Sequence, residues 1–99
     1  MKTRVAVMGI IVENTDSINV LNGILHDYGE YVVGRVGIPY REKGINIISV
    51  AVDAPQDVIS AMTGKIDRLQ GIEVKTAYSS VAFGRERKVA IKDINPDDR

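Results

Sequence analysis

Apolar strand-like runs and amphipathic helical runs follow one another in the order strand–helix–strand–strand–helix–strand. This order predicts an α+β fold of the ferredoxin-like βαββαβ type, a sandwich of one four-stranded antiparallel sheet with two helices on one face. A second observation separates central strands from edges. The first and third strands are apolar on both faces: Val5, Val7 and Ile11 against Ala6, Met8, Ile10 and Val12, and Ile45 and Ile47 against Ile48, Val50 and Val52. The fourth alternates Ile72, Val74 and Thr76 with Glu73, Lys75 and Ala77, as a half-exposed edge does. In this topology the first and third strands are indeed the inner pair. Finally, 99 residues suit one compact domain with a small core.

RVAVMGIIVE at 4–13 is β-branched and apolar, hence a strand. Asn14, Thr15 and Asp16 follow, all of helix-capping type. Ile18, Leu21, Ile24, Leu25 and Tyr28 recur at helical spacing, and Gly29 stops the helix. EYVVGRVGI at 30–38 reads as the second strand and INIISVAVD at 45–53 as the third. Pro55 opens the second helix, whose apolar face is Val58, Ile59, Met62, Ile66 and Leu69; Gly64 weakens it locally and Gly71 closes it. IEVKTAY at 72–78 is the fourth strand. The domain is therefore expected over 1–80. Residues 81–99 form a C-terminal extension, where VAF at 81–83 prolongs the last strand or KVAIKDI at 88–94 adds a short one, before a polar end.

Composition excludes several classes. Thirteen basic and thirteen acidic residues give a formal net charge of zero, against the basic excess of an electrostatic nucleic-acid binder. There is no cysteine, so disulfides, thiol catalysis and cysteine-ligated zinc are out, in keeping with an expected cytoplasmic location. The opening MKTRVAVMGIIVENTDS alternates like a strand and reaches Glu13 without a cleavage-site pattern, so it reads as a strand and not as a signal peptide. No run is long enough to cross a bilayer as a helix.

Two helices cover only one face of such a sheet. The uncovered face keeps apolar side chains from the central strands, and such a patch usually marks an interface. A homo-oligomer, dimer or tetramer, joined through the open face is expected, with Ile47 on that face; the alternative is coverage by the C-terminal tail.

The stretch GRVGIPYREKGI at 34–45 carries candidate residues. Pro39 is expected to end the second strand, with residues 39–44 as the hairpin and Gly44 easing re-entry. Gly34 and Gly37 lie inside a strand and suggest a bulge or a close approach. Arg35, on the parity of Tyr31 and Val33, is expected to face the oligomer side. Arg35, Tyr40 and Arg41 then border an inter-subunit pocket or contact; the plainer reading is a solvated loop, which is preferred for Glu42 and Lys43.

The segments VAVMGIIVEN, LHDYGEYVVGRVGIPYREKGINIISVAVDAPQDVISAMTGKI and VKTAYS resemble the iron-only hydrogenase system regulators, small ACT-like proteins similar in fold to the C-terminal domain of the nickel-responsive repressor. The resemblance runs over roughly residues 4–80 and implies a regulatory module, sensing a small ligand or binding a protein, without established chemistry. It also implies an effector site near the loop after the first strand, which makes Glu13, Asn14 and Asp16 candidate ligand residues. For these residues by themselves the preferred reading is helix capping by Asn14 or Thr15, with Asp16 complementing the helix dipole.

The nickel comparison stops at the ligands. His26 is the single histidine and there is no cysteine, so no metal or other cofactor is expected. The ribbon-helix-helix reader is absent, and direct nucleic-acid binding is not expected. Acylphosphatases share the fold but use an arginine and backbone N–H groups in the loop after the first strand; here that loop has no arginine. RNA recognition motifs stack bases on central-strand aromatics, and these strands have none. A non-enzymatic regulator is the reading, with a purely structural oligomerisation domain or, less well supported, an acylphosphatase-like enzyme as alternatives.

Overall fold

The computed structural model describes residues 2–80. Strands β1 (Arg4–Val12), β2 (Val32–Tyr40), β3 (Ile45–Ala54) and β4 (Ile72–Tyr78) alternate with helices α1 (Ile18–Asp27) and α2 (Gln56–Asp67) in the expected βαββαβ order. The sheet order is β2-β3-β1-β4 with every neighbouring pair antiparallel. The doubly apolar strands are thus the inner pair. The two tail strands considered above, at 81–83 and 88–94, lie outside the described residues.

The core forms between the helices and one face of the sheet. Ala6, Met8, Ile10 and Val12 of β1 meet Ile48, Val50, Val52 and Ala54 of β3, under Leu21 and Leu25 of α1 and Ile59, Met62 and Ile66 of α2. The helical stripes read from the sequence are the buried ones, with Ile18, Ile24, Tyr28, Val58 and Leu69 packed around them. At roughly 25 cal/mol per Å² of apolar surface removed from water, this single layer drives folding.

Three local expectations are corrected. The strand β2 begins and ends two residues later than expected, because Gly29–Tyr31 form a 3₁₀ turn after α1. Pro39 does not end β2: it pairs opposite Asn46 inside the strand. An edge strand tolerates proline because one side of its backbone needs no ladder donor. The hairpin is the shorter turn Arg41–Lys43, closed by Gly44 at φ 67.

The third correction moves a side chain across the sheet. The β2–β3 register shifts between Val32 and Gly34, leaving Val33 as the extra residue of a bulge. Beyond it the alternation is reversed. Arg35 stands opposite the core residue Val50, on the helix side, while Val36, Ile38 and Tyr40 take the open face opposite Ser49, Ile47 and Ile45.

The two halves of the fold are clasped at one end. The Gly71 carbonyl accepts the N–H groups of Glu13 at 2.7 Å and Asn14 at 3.3 Å, and the buried Ser17 Oγ donates to the Gln70 carbonyl at 2.8 Å. Gly71 has φ 73, and a Cβ placed on it would lie 2.4 Å from the Asn14 Cβ. Gly44 also has positive φ, but a Cβ there meets open space. Gly44→Ala should therefore cost only backbone strain, about 1 kcal/mol. Gly71→Ala adds the collision and should cost ~2 kcal/mol or more. Urea unfolding of both variants checks the ranking.

Candidate functional site

The loop after β1 is built as a cap. Asn14 has extended backbone, and its Oδ1 accepts the Asp16 N–H at 2.9 Å. The Ser17 N–H donates to the Asn14 carbonyl at 3.0 Å. With Glu13 and Asn14 N–H groups already given to Gly71, these backbone donors are engaged within the fold. The exposed carboxylates of Glu13 and Asp16 are what the loop presents outward.

Antiparallel pairing brings this loop and the β2–β3 hairpin to the same end of the sheet, since Val12 pairs with Asn46 and Ile72. Tyr40 sits there on the open face opposite Ile45. Its hydroxyl donates to Glu42 Oε1 at 2.9 Å, so Glu42 is tied to the turn by a hydrogen bond. Arg41 is exposed in the turn beside them. Glu13, Asn14, Asp16, Tyr40 and Arg41 thus share one end of the sheet.

Arg35 does not join them. Its Nη2 donates to Asn22 Oδ1 of α1 at 3.0 Å, reaching across the helix side of the sheet. Asn22, Leu25, His26, Gly29, Val32 and Arg35 line a groove of about 370 Å³ between α1 and β2. Sequence reading missed this grouping: Asn22 and His26 share a helix face by their spacing, but only the bulge brings Arg35 to them. Nearby, the carboxylate of Glu30, with some burial, raises the Tyr31 phenol above its ordinary pKa and favours its neutral form.

The opposite end of the sheet is held by a polar cluster. Arg4 donates to Gln56 Oε1 at 2.6 Å and lies 4.3 Å from the centre of the Tyr78 ring. Gln56 Nε2 donates to the Tyr78 hydroxyl at 3.0 Å. Among the described residues no group of three His, Cys, Asp or Glu side chains is placed to hold a metal ion, and no helix is long and apolar enough to cross a membrane.

The open face has a relief set by register. A ridge runs across it through Ile38, Ile47 and Ile11 to Glu73; the next row, Val36, Ser49, Gly9 and Lys75, is low at its centre. Val7, Val36 and Ile38 are 43%, 59% and 52% exposed, an unusual concentration of large apolar side chains for a small domain. The charges of this face lie toward its margins, Glu73 and Lys75 on β4 and Asp53 near the end of β3 opposite Val5, leaving an apolar centre with a polar margin.

This topology and layering define an ACT-like, ferredoxin-like domain. The ACT domain of GTP pyrophosphokinase from Chlorobium tepidum superposes with a TM-score of 0.55 over 86% of this chain and 96% of that one, at 16% identity. The chain belongs to the TM1266-like family, whose model matches residues 4–76 and is described as "Iron-only hydrogenase system regulator, putative". The uncharacterized protein TM1266 from Thermotoga maritima has the same fold at 31% identity, with a TM-score of 0.75, covering 78% of this chain and 98% of that one. No curated protein matches the chain.

Capping and ligand binding make different demands on Asn14. Asn14→Ala should lower stability by about 1 kcal/mol through loss of the cap, read as a shift of the urea midpoint. An unchanged midpoint would mean that the side chain is not needed by the fold.

Proposed function

We propose that this protein is a non-catalytic regulatory module of an iron-only hydrogenase system, acting in the cytoplasm as a homo-oligomer that responds to a small effector or a partner protein. The observation that carries the reading is the apolar open face. A single domain of this size gains little by exposing Val7, Val36 and Ile38 to water, whereas a second copy would remove them from it. The relief suits self-association: the isoleucine ridge of one copy fits the low row through Ser49 and Gly9 of another, related by a two-fold axis. The family description and the ACT-like fold support regulation over chemistry.

Catalysis of the acylphosphatase kind is disfavoured by the loop after β1. It offers carboxylates where a phosphate would need positive charge, and the Glu13 and Asn14 N–H groups are committed to Gly71. Hydrolysis of an acyl phosphate above the uncatalysed rate would sink the non-catalytic reading.

In this proposal the sheet end carrying Glu13, Asn14, Asp16, Tyr40 and Arg41 borders the contact between copies. Light scattering coupled to size exclusion should report a dimer or tetramer. Ile47→Glu places a charge on the ridge, not in the core, and should raise the dissociation constant by ~10-fold or more while circular dichroism keeps the native signature. An unchanged mass for that variant puts the interface elsewhere. Arg41→Ala should weaken the same assembly by a smaller factor, read in the same experiment.

A further inference from the structure

The groove between α1 and β2 has the parts of a binding site. Leu25, 3% exposed, and the half-buried Val32 give it an apolar wall. Gly29 adds no side chain at its mouth, and a Cβ there would meet nothing within 4 Å. Asn22, His26 and Arg35 supply polar groups, two of them from one face of α1. A volume of about 370 Å³ suits a small organic molecule.

Arg35 decides the chemistry. The bulge at Val32–Gly34 turns its side chain to the helix side, and bulges commonly serve to re-aim a side chain. Asn22 Oδ1 holds one Nη2 hydrogen, which orients the guanidinium and leaves most of its donors unused. Among the described residues no carboxylate pairs with it. A planar, exposed guanidinium without an acidic partner, held by one hydrogen bond in a groove that also carries an imidazole and apolar side chains, matches a carboxylate carried on a short apolar body.

We infer that the α1–β2 groove binds a small aliphatic carboxylate, with Arg35 pairing with the carboxylate, His26 adding a donor, and Leu25 and Val32 receiving the hydrocarbon. The inference gives the regulatory reading its effector site and rests on that reading. The site is complete within one chain and does not use the loop at Glu13–Asp16.

The test is titration of the full chain with 4-methylpentanoate, followed by amide chemical shifts in ¹H–¹⁵N NMR, with inorganic phosphate as an anion lacking an apolar body. The expected result is saturable shifts at Leu25, His26, Gly29, Val32 and Arg35, and weaker or no shifts with phosphate. Arg35→Gln should weaken 4-methylpentanoate binding by about tenfold or more. Arg68→Gln, the same charge change at an exposed position after α2, outside the groove and outside the proposed contact between copies, should leave it unchanged. The inference is overturned by an absence of saturable shifts, by shifts confined to Glu13–Asp16, by an equal response to phosphate, or by equal weakening in the two arginine variants. Light scattering on the same samples reads assembly separately: a monomer that still binds in the groove removes the oligomeric reading alone, and an oligomer with a silent groove removes the effector site alone.

Discussion

A four-stranded sheet has two faces, and two helices are enough for one. That constraint organises this molecule, because the inner strands β1 and β3 are apolar on both faces. One set of side chains, from Ala6 to Val12 and from Ile48 to Ala54, disappears beneath Leu21, Leu25, Ile59, Met62 and Ile66. The other set remains on the outside. Stability comes from the first face, and the surface available for recognition is laid out on the second and along the edge of β2.

The clasp at Gly71 makes this economy possible. Without it, the turn entering α1 and the turn entering β4 would be independent loops on a small core. The two N–H groups given to the Gly71 carbonyl and the Ser17–Gln70 hydrogen bond tie both crossovers to the same point. The geometry tolerates no side chain at 71, since that Cβ would enter Asn14. Asn14 is therefore committed to the fold from two directions, as cap and as neighbour. This constrains how its loop can respond to anything bound near Glu13 and Asp16.

Much of this was legible in the sequence. Two-faced apolar strands identified the centre of the sheet, simple alternation identified β4, and the spacing of Leu21, Leu25, Ile59, Met62 and Ile66 identified the buried helix faces. Glycines within the second strand pointed to a bulge. What could not be read was which residue would be the extra one, because a bulge is set by the register against β3 and not by local propensity. Arg35 was consequently expected on the wrong face, while Ile47, on an unbroken strand, was placed correctly. Pro39 misled for a related reason: its cost depends on whether an outer neighbour exists, which is a property of the sheet. The contact of Gly71 with Asn14 joins residues far apart in the chain and has no local signature.

The bulge in β2 makes side-chain placement depend on spacing as much as on identity. A protein with the same residues around Gly34 but one fewer before it would present its guanidinium on the opposite face of the sheet. Insertion or deletion of a single codon there, and not replacement of the arginine, is the mutational step that moves a positive charge from the helix layer to the open surface. Aligning relatives by residue type alone would pair arginines that serve different sides of the molecule. The number of residues between the end of α1 and the hairpin is the better guide to which of them share this one's arrangement.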